Sequence, residues 1–259
     1  KLLQQLFLKV GYSRADANSL SEALVMTSLR GVDSHGIRLT PHYIAATQLG
    51  RIDNQSNFSF KSTGASTGTL DARHGHGILA GQEAMRQAIT KAKKSGVGVV
   101  AVKNSTHFGA AAIYTLAAAK ANMIGLSFTN TDALVAPTGG REGFLGTNPI
   151  CFAAPCAGED PFCLDMATST VAWNKIMVHR GLDKQLEKNW AIDKNGAITT
   201  DPHQAVALFQ LGGYKGYGLG LMVEILCSLL SGMPFGPAIS TMFPVNKKRR
   251  QLGHFFIAI

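Results

Sequence analysis

Two short stretches crowd together side chains able to move a proton. VDSHGIRLTPHY, Val32 to Tyr43, sets Ser34 beside His35, a glycine after it and Arg38 three residues on; NSTHFGAA, Asn104 to Ala111, places His107 just ahead of Gly109. Two imidazoles and a guanidinium suit a reaction that interconverts a carbonyl and an alcohol beside a carboxylate. The guanidinium grips the carboxylate through two parallel N–H donors, and an imidazole titrating near neutrality gives or takes the hydroxyl proton. Each stretch also has a plainer explanation: a polar loop joining two helices, and a structural histidine at the end of a strand.

The surrounding pattern decides where these stretches sit. Leu2, Leu3, Leu6, Phe7 and Val10 recur at helical spacing. A second helix has Ser13 as its N-cap, Asp16 three residues on and Gly31 past its end; a third has Thr40 before Pro41 and stops at Gly50. VDSHGIR is then the loop between helices two and three, in an N-terminal helical part spanning residues 1–62. From about Thr67 come strand GTLDA, a helix from Ile78 to Lys94, strand VGVVAV, a helix from Ala110 to Ala121 and strand MIGLSFTN. This alternation predicts an α/β layered core over residues 63–259, with His107 at a sheet edge where side chains converge. Residues 130–170 hold more turn chemistry than a linker needs. A helical run from Tyr214 to Leu230 follows, and the chain ends on apolar FFIAI, a strand with nothing after it to cover it. That ending, and the lack of a first methionine, suggest a natural protein that continues beyond this sequence.

Composition narrows the classes. With 259 residues, 46% hydrophobic and 16% charged, the chain can bury a sizeable core. Its longest apolar runs are cut by Lys120 and Glu224, short of the roughly 18 residues a membrane helix needs, and the first helix lacks a signal-peptide cleavage site. Four cysteines without CxxC spacing read as free thiols in a reducing compartment, the cytoplasm. The net charge of +9 and the run Lys247, Lys248, Arg249, Arg250 raise a nucleic-acid partner. The other basic residues are scattered, however, and a basic enzyme drawing in anionic ligands accounts for the same charge. No HExxH, GxSxG or phosphate-loop motif occurs, and no histidine has ligand spacing, so no metal is expected.

Three glycine- or hydroxyl-rich segments remain. GHGILA, Gly75 to Ala80, fits a dinucleotide fingerprint, but the next strand ends in Lys103 and Asn104 where an acidic ribose partner belongs; a tight strand-to-helix turn explains it better. LGGYKGYGLG carries Lys215 at a helix start, suited to an anionic group or to close packing. LDMATST offers an aspartate and hydroxyls at a strand-to-helix turn, suited to a ribose or phosphates.

Taken in order, VDSHGIRL, NSTHFGAA, TGGREGFLGTNPI, LDMATS and GGYKGYGL resemble the successive signature segments of the malate/L-lactate dehydrogenase family of the second type. That family includes ureidoglycolate and sulfolactate dehydrogenases, diketogulonate reductase and piperideine-carboxylate reductases. The resemblance implies a non-Rossmann oxidoreductase using NAD or NADP: a mixed β-sheet with flanking helices, usually a homodimer, acting on a small 2-hydroxy or 2-oxo acid such as malate or lactate. A reductase of a cyclic imine carboxylate is the alternative within it, and a non-catalytic nucleic-acid-binding protein the alternative outside it. Residue by residue, it implies His35 as proton donor with Ser34 beside it, Arg38 on the substrate carboxylate, His107 as the acid/base of other members, and Asp132 as a substrate-side polar group. Asp165, Met166, Ala167, Thr168, Ser169, Thr170 and Val171 match one cofactor-binding segment, and Tyr214 with Lys215 another. Family members also continue past the strand resembling FFIAI. Pro234 to Gly253 carries the least family character, and no function is expected of it.

Overall fold

A computed structural model describes residues 1–259. Three helices open the chain: α1 (Leu2–Lys9), α2 (Arg14–Leu29) and α3 (Thr40–Gln48). Ser13 caps α2 by accepting the N–H of Asp16 at 3.1 Å and donating to its carboxylate at 2.8 Å. Thr40 is already helical rather than a cap, with Pro41 in the first turn, where its missing N–H costs nothing. Between α2 and α3 the VDSHGIR stretch forms two 3₁₀ turns, Asp33–His35 and Ile37–Leu39. Gly36 joins them because a Cβ there would lie 2.1 Å from Ser28 Oγ. The loop can therefore lie flat on α2, and Ile37 N–H donates to that same hydroxyl.

The sheet elements follow as β1 (Ser59–Ser62), β2 (Thr67–Asp71), α4 (Gly77–Ser95), β3 (Gly98–Ser105), α5 (Ala112–Lys120), β4 (Gly125–Thr129), β5 (Ile150–Ala154) and β6 (Phe162–Met166). Next come α6 (Trp173–Gly181), a small three-stranded sheet of β7 (Ala191–Ile192), β8 (Ile198–Thr199) and β9 (Ala207–Leu208), then α7 (Tyr214–Glu224), which runs into a π turn at Ile225–Leu229, and β10 (Leu252–Ala258). The main sheet is mixed, in the order β1-β2-β3-β10-β4-β5-β6, with only β2 and β3 parallel. The strand and helix on either side of LDMATST are β6 and α6; β1, β5 and the small sheet were not foreseen from local pattern.

The terminal apolar run is not an uncovered edge. β10 lies between β3 and β4, with Phe256 and Ala258 in the core beneath α4 and α5, and Phe255 and Ile257 packed with Val223 and Cys227 on the opposite face. A strand covered on both faces reads as a continuous apolar run, because neither face needs polar residues.

On α4, Ala80, Ala84, Ala88 and Ala92 recur every fourth residue and are buried, so the helix settles closely on the sheet. Its other side meets Phe7, Leu20, Leu24 and Tyr43 through Ile78 and Leu79, which fastens the three N-terminal helices to the sheet layer. Gly77 is the close-approach point: a Cβ there would fall 2.3 Å from the Thr106 carbonyl oxygen and 2.6 Å from that of His107. GHGILA is thus a tight helix start against β3. Its His76 caps the helix, and Gly77 N–H donates to Thr106 Oγ1 at 2.9 Å.

Candidate active site

A cavity of about 630 Å³ opens where the 3₁₀ turns, the loop after β3, the loop after β4, the segment after β6 and residues 241–243 converge. The fold brings its two histidines together from opposite ends of the N-terminal half. His35 and His107 have ring centroids 5.6 Å apart, stacked at 23°. His35 Nδ1 shares a hydrogen bond of 2.8 Å with Ser34 Oγ. His107 Nδ1 meets the hydroxyl of Tyr43 on α3 at 2.7 Å, with both side chains buried. Gly109, with φ of +74°, turns the chain immediately after His107 and aims its N–H toward the same nitrogen at 3.4 Å. Nε2 of His107 is left as the nitrogen free to face a ligand.

The expectation of an imidazole titrating near neutrality is corrected by the environment. Burial holds His107 well below the ordinary imidazole value, with the nearby His35 and Arg250 adding to the depression; burial lowers His35 as well. Both rings rest neutral at pH 7, poised to accept a proton.

Asp132 also lines the cavity, and its carboxylate is already engaged. Oδ1 accepts from Nη2 of Arg250, a buried ion pair, and Oδ2 accepts the N–H of Met242 at 3.1 Å. Arg250 in turn donates from Nε to the Ser240 carbonyl at 3.0 Å. Pro234 to Gly253, of which nothing functional was expected, therefore supplies cavity residues Thr241, Met242 and Phe243 as well as the partner of Asp132. The basic run splits: Lys247 and Lys248 are exposed, whereas Arg250 is buried.

Ser34, Asp165, Met166, Ala167, Ser169, Thr170 and Val171 join His35, His107 and Asp132 on the cavity wall. Four expected site residues lie off it. Arg38 is exposed, because the second 3₁₀ turn buries Leu39 and leaves Ile37 and Arg38 outside. Thr168 is buried beneath the wall, its hydroxyl donating to the carbonyls of Thr147 and Asn148. Tyr214 and Lys215 are exposed at the start of α7, and only Leu211 from their segment reaches the cavity. Sequence reasoning missed Tyr43, which reads as one more residue of a short helix, and Arg250, hidden in a charge run. It also missed Trp173 and Asn174 of α6; the Asn174 side chain donates to the Ser34 carbonyl at 3.4 Å.

The malate/L-lactate dehydrogenase family matches this chain over residues 1–259. The chain belongs to that family. A malate dehydrogenase of Pyrococcus abyssi is 42% identical over 97% of this chain and 71% of its own length, and a ureidoglycolate dehydrogenase (NAD(+)) of Escherichia coli is 36% identical over 100% and 74%. Among solved structures, sulfolactate dehydrogenase from Methanocaldococcus jannaschii superposes with a TM-score of 0.92 at 38% identity, covering 100% of this chain and 75% of that one. Delta1-piperideine-2-carboxylate reductase from Pseudomonas syringae gives 0.93 at 31% identity, covering 100% and 79%. This family member is an oxidoreductase using NAD or NADP. The cavity fits such a cofactor: half of its 28 lining residues are hydrophobic, suited to flat rings, and Ser169 and Thr170 offer hydroxyls to sugar or amide groups.

Proposed function

We propose that this member of the malate/L-lactate dehydrogenase family interconverts a small 2-hydroxy acid such as malate or lactate with its 2-oxo acid, with His107 as the group that moves the hydroxyl proton. The observation that carries the reading is the stacked His35 and His107 pair on a cavity wall, with the Tyr43 hydroxyl on His107 Nδ1. A hydroxyl both donates and accepts, so Tyr43 can serve His107 in either protonation state. During alcohol oxidation the neutral ring takes the proton at Nε2 while Nδ1–H donates to Tyr43. In the reverse direction Nε2 returns the proton to the oxygen of the former carbonyl. His35, steadied by Ser34, stacks against His107 and hydrogen-bonds the same oxygen. A bound nicotinamide supplies the hydride acceptor or donor. Met166, Ala167, Ser169, Thr170, Val171 and Trp173 would hold it, with Leu134 and Pro149 helping to exclude water.

Rates with a panel of 2-oxo acids and both reduced cofactors test this. Oxidation of NADH or NADPH by at least one 2-oxo acid is expected, with a loss of roughly 100-fold or more in His107→Asn; no turnover with any acid, despite cofactor binding, refutes it. Reduction of a cyclic imine carboxylate is the second reading, favoured by the likeness to the piperideine-carboxylate reductase. The same proton donor serves a C=N bond, and adding the imine to the panel separates the two.

The homodimer belongs to the same proposal. Leu221, Met222, Ile225, Leu229 and Leu230 are exposed along α7 and the π turn, an apolar surface suited to a second copy. Sedimentation at equilibrium should return twice the chain mass. A cytoplasmic setting is supported by four free cysteines, and no helix is long and apolar enough to cross a membrane.

A further inference from the structure

A cavity for an anionic acid needs positive charge, yet none of its 28 lining residues is an arginine or a lysine, and Arg38 points to solvent. Positive charge does lie immediately behind one wall. Arg250 is buried and paired with Asp132, which itself lines the cavity. Arg51 is buried too, at 1% exposure, and donates to Ser240 Oγ at 2.9 Å and to the carbonyls of Thr241 and Met242. Its partners are all neutral, so the wall formed by Thr241 and Met242 is backed by two guanidiniums and one carboxylate. His42, packed on Phe243 at 4.9 Å, is pushed down to about 4 by burial and by Arg250 and Arg51, and so adds no charge at neutral pH.

One uncompensated positive charge remains in a buried setting, which is costly without a counter-ion. Two donors there also lack partners: Arg250 Nη1 and Arg51 Nε. A bound carboxylate against the Thr241 and Met242 wall relieves that imbalance. Asp132 offsets only one of the two guanidiniums, so Arg250 and Arg51 together keep a net positive charge behind this wall.

We infer that Arg250, backed by Arg51 and held by Asp132, is the specificity-determining residue that makes this cavity select an anionic carboxylate over a neutral analogue. The inference rests on the proposed 2-oxo acid chemistry and names the group that recognises the acid.

The test compares oxamate, a carboxylate, with oxamide, its neutral isostere, titrated calorimetrically onto the protein with NADH present. Arg250→Gln should weaken oxamate about 30-fold or more, the lower end for losing a buried charge partner, and leave oxamide within about twofold. Arg250→Lys should restore most of the preference. Asp132→Asn removes the compensating negative charge and should tighten oxamate by about tenfold, the order expected for one nearby charge at protein-like dielectric. A merely structural role predicts weaker binding in both variants, so the opposite signs are diagnostic. Should Arg250→Gln fail to fold, Asp132→Asn and Arg51→Gln, expected to tighten and to weaken oxamate respectively, carry the same test. Equal losses for oxamate and oxamide, or weaker oxamate binding in Asp132→Asn, overturn the inference. The two readings fail separately. Turnover of 2-oxo acids with a preference indifferent to Arg250 removes only the charge assignment. Arg250-dependent discrimination without turnover removes only the reaction.

Discussion

Replacing Tyr43 with Phe removes one atom, the hydroxyl that meets His107 Nδ1 at 2.7 Å, from a site where both side chains are buried. No second partner can take over fully, since the only other group directed at Nδ1 is Gly109 N–H at 3.4 Å, and that group can only donate. When His107 carries its proton, Nδ1–H then has no acceptor. A hydrogen bond to a charged group is worth about 1.5 to 3 kcal/mol. Because the imidazolium forms only along the reaction, that loss falls on kcat, a drop of roughly 10- to 150-fold. Disorder between the two neutral tautomers would cost only about twofold, so the size of the drop separates the two causes. Destabilising the charged ring also pushes the His107 pKa below its already depressed value. Initial rates in both directions, with ¹⁵N chemical shifts of the His107 ring, measure both effects. A Tyr43→Phe enzyme with kcat within twofold of wild type and unchanged ring shifts refutes the reasoning.

Other perturbations probe different links. His35→Asn should cost less than His107→Asn in kcat, and the reverse order would exchange the roles of the two rings. Gly77→Ala drives a Cβ against the Thr106 and His107 carbonyl oxygens, backbone atoms that cannot swing aside. It should destabilise by about 1 to 3 kcal/mol and lower kcat by moving His107, seen as a reduced melting temperature together with reduced activity; a stable, fully active variant contradicts the packing argument. With His107 lowered well below the ordinary value, reduction, which needs the protonated ring, should lose about tenfold in kcat/KM per pH unit above neutrality, while oxidation stays flat there. A flat reduction profile would count against His107 as the donor. Burial also lowers His42 to about 4, and His76 and His254 to about 3. Below pH 6.5 the unfolded chain takes up protons that the folded chain refuses. Stability should therefore fall on acidification from 6.5 toward 4, by about 1.4 kcal/mol per pH unit for each group, and the urea midpoint should move down accordingly; a constant midpoint contradicts it.

What could be read from the sequence follows the range over which the forces act. Ser13 with Asp16, the alanine repeat on α4 and the left-handed Gly96 after it are local devices, and each marks its element within a residue or two. The parallel pairing of β2 with β3 follows from alternation with a helix, whereas β4 pairs with β10 and β5 instead. The position of β10 does not follow from that alternation. His254 bonds Ser105 Oγ at 2.7 Å across 149 residues and Thr129 Oγ1 at 2.7 Å across 125, tying β3, β10 and β4 together beneath the cavity. No local pattern distinguishes a strand inserted at the centre of a sheet from one added at its edge.

The same distinction divides the site. His35 and His107 announce themselves because each is a titratable side chain in a glycine-flanked turn, and the glycines have local work: Gly36 lets the loop lie on α2, and Gly109 supplies a left-handed turn. Tyr43 and Arg250 lack such a signal, since their roles exist only through a partner 64 or 118 residues away. Arg38 shows the converse. Its position in the motif invites a role, but in a 3₁₀ turn with Leu39 buried and its neighbours outside, the guanidinium faces solvent. Charge placement in this cavity is therefore a property of the folded sheet, imposed when β10 brings Arg250, two residues before it, against Asp132 in the loop after β4. A substitution that preserves every motif yet weakens the insertion of β10 should lose acid recognition before it loses the histidine pair. Phe256→Ala is such a substitution, because Phe256 lies wholly in the core at the centre of that strand. Its expected cost is about 3 to 5 kcal/mol of stability. At temperatures where the variant is still folded, its KM for the acid should rise more than its kcat falls. A kcat that collapses while KM holds would mean that the histidine pair, and not the charge, depends on the central strand.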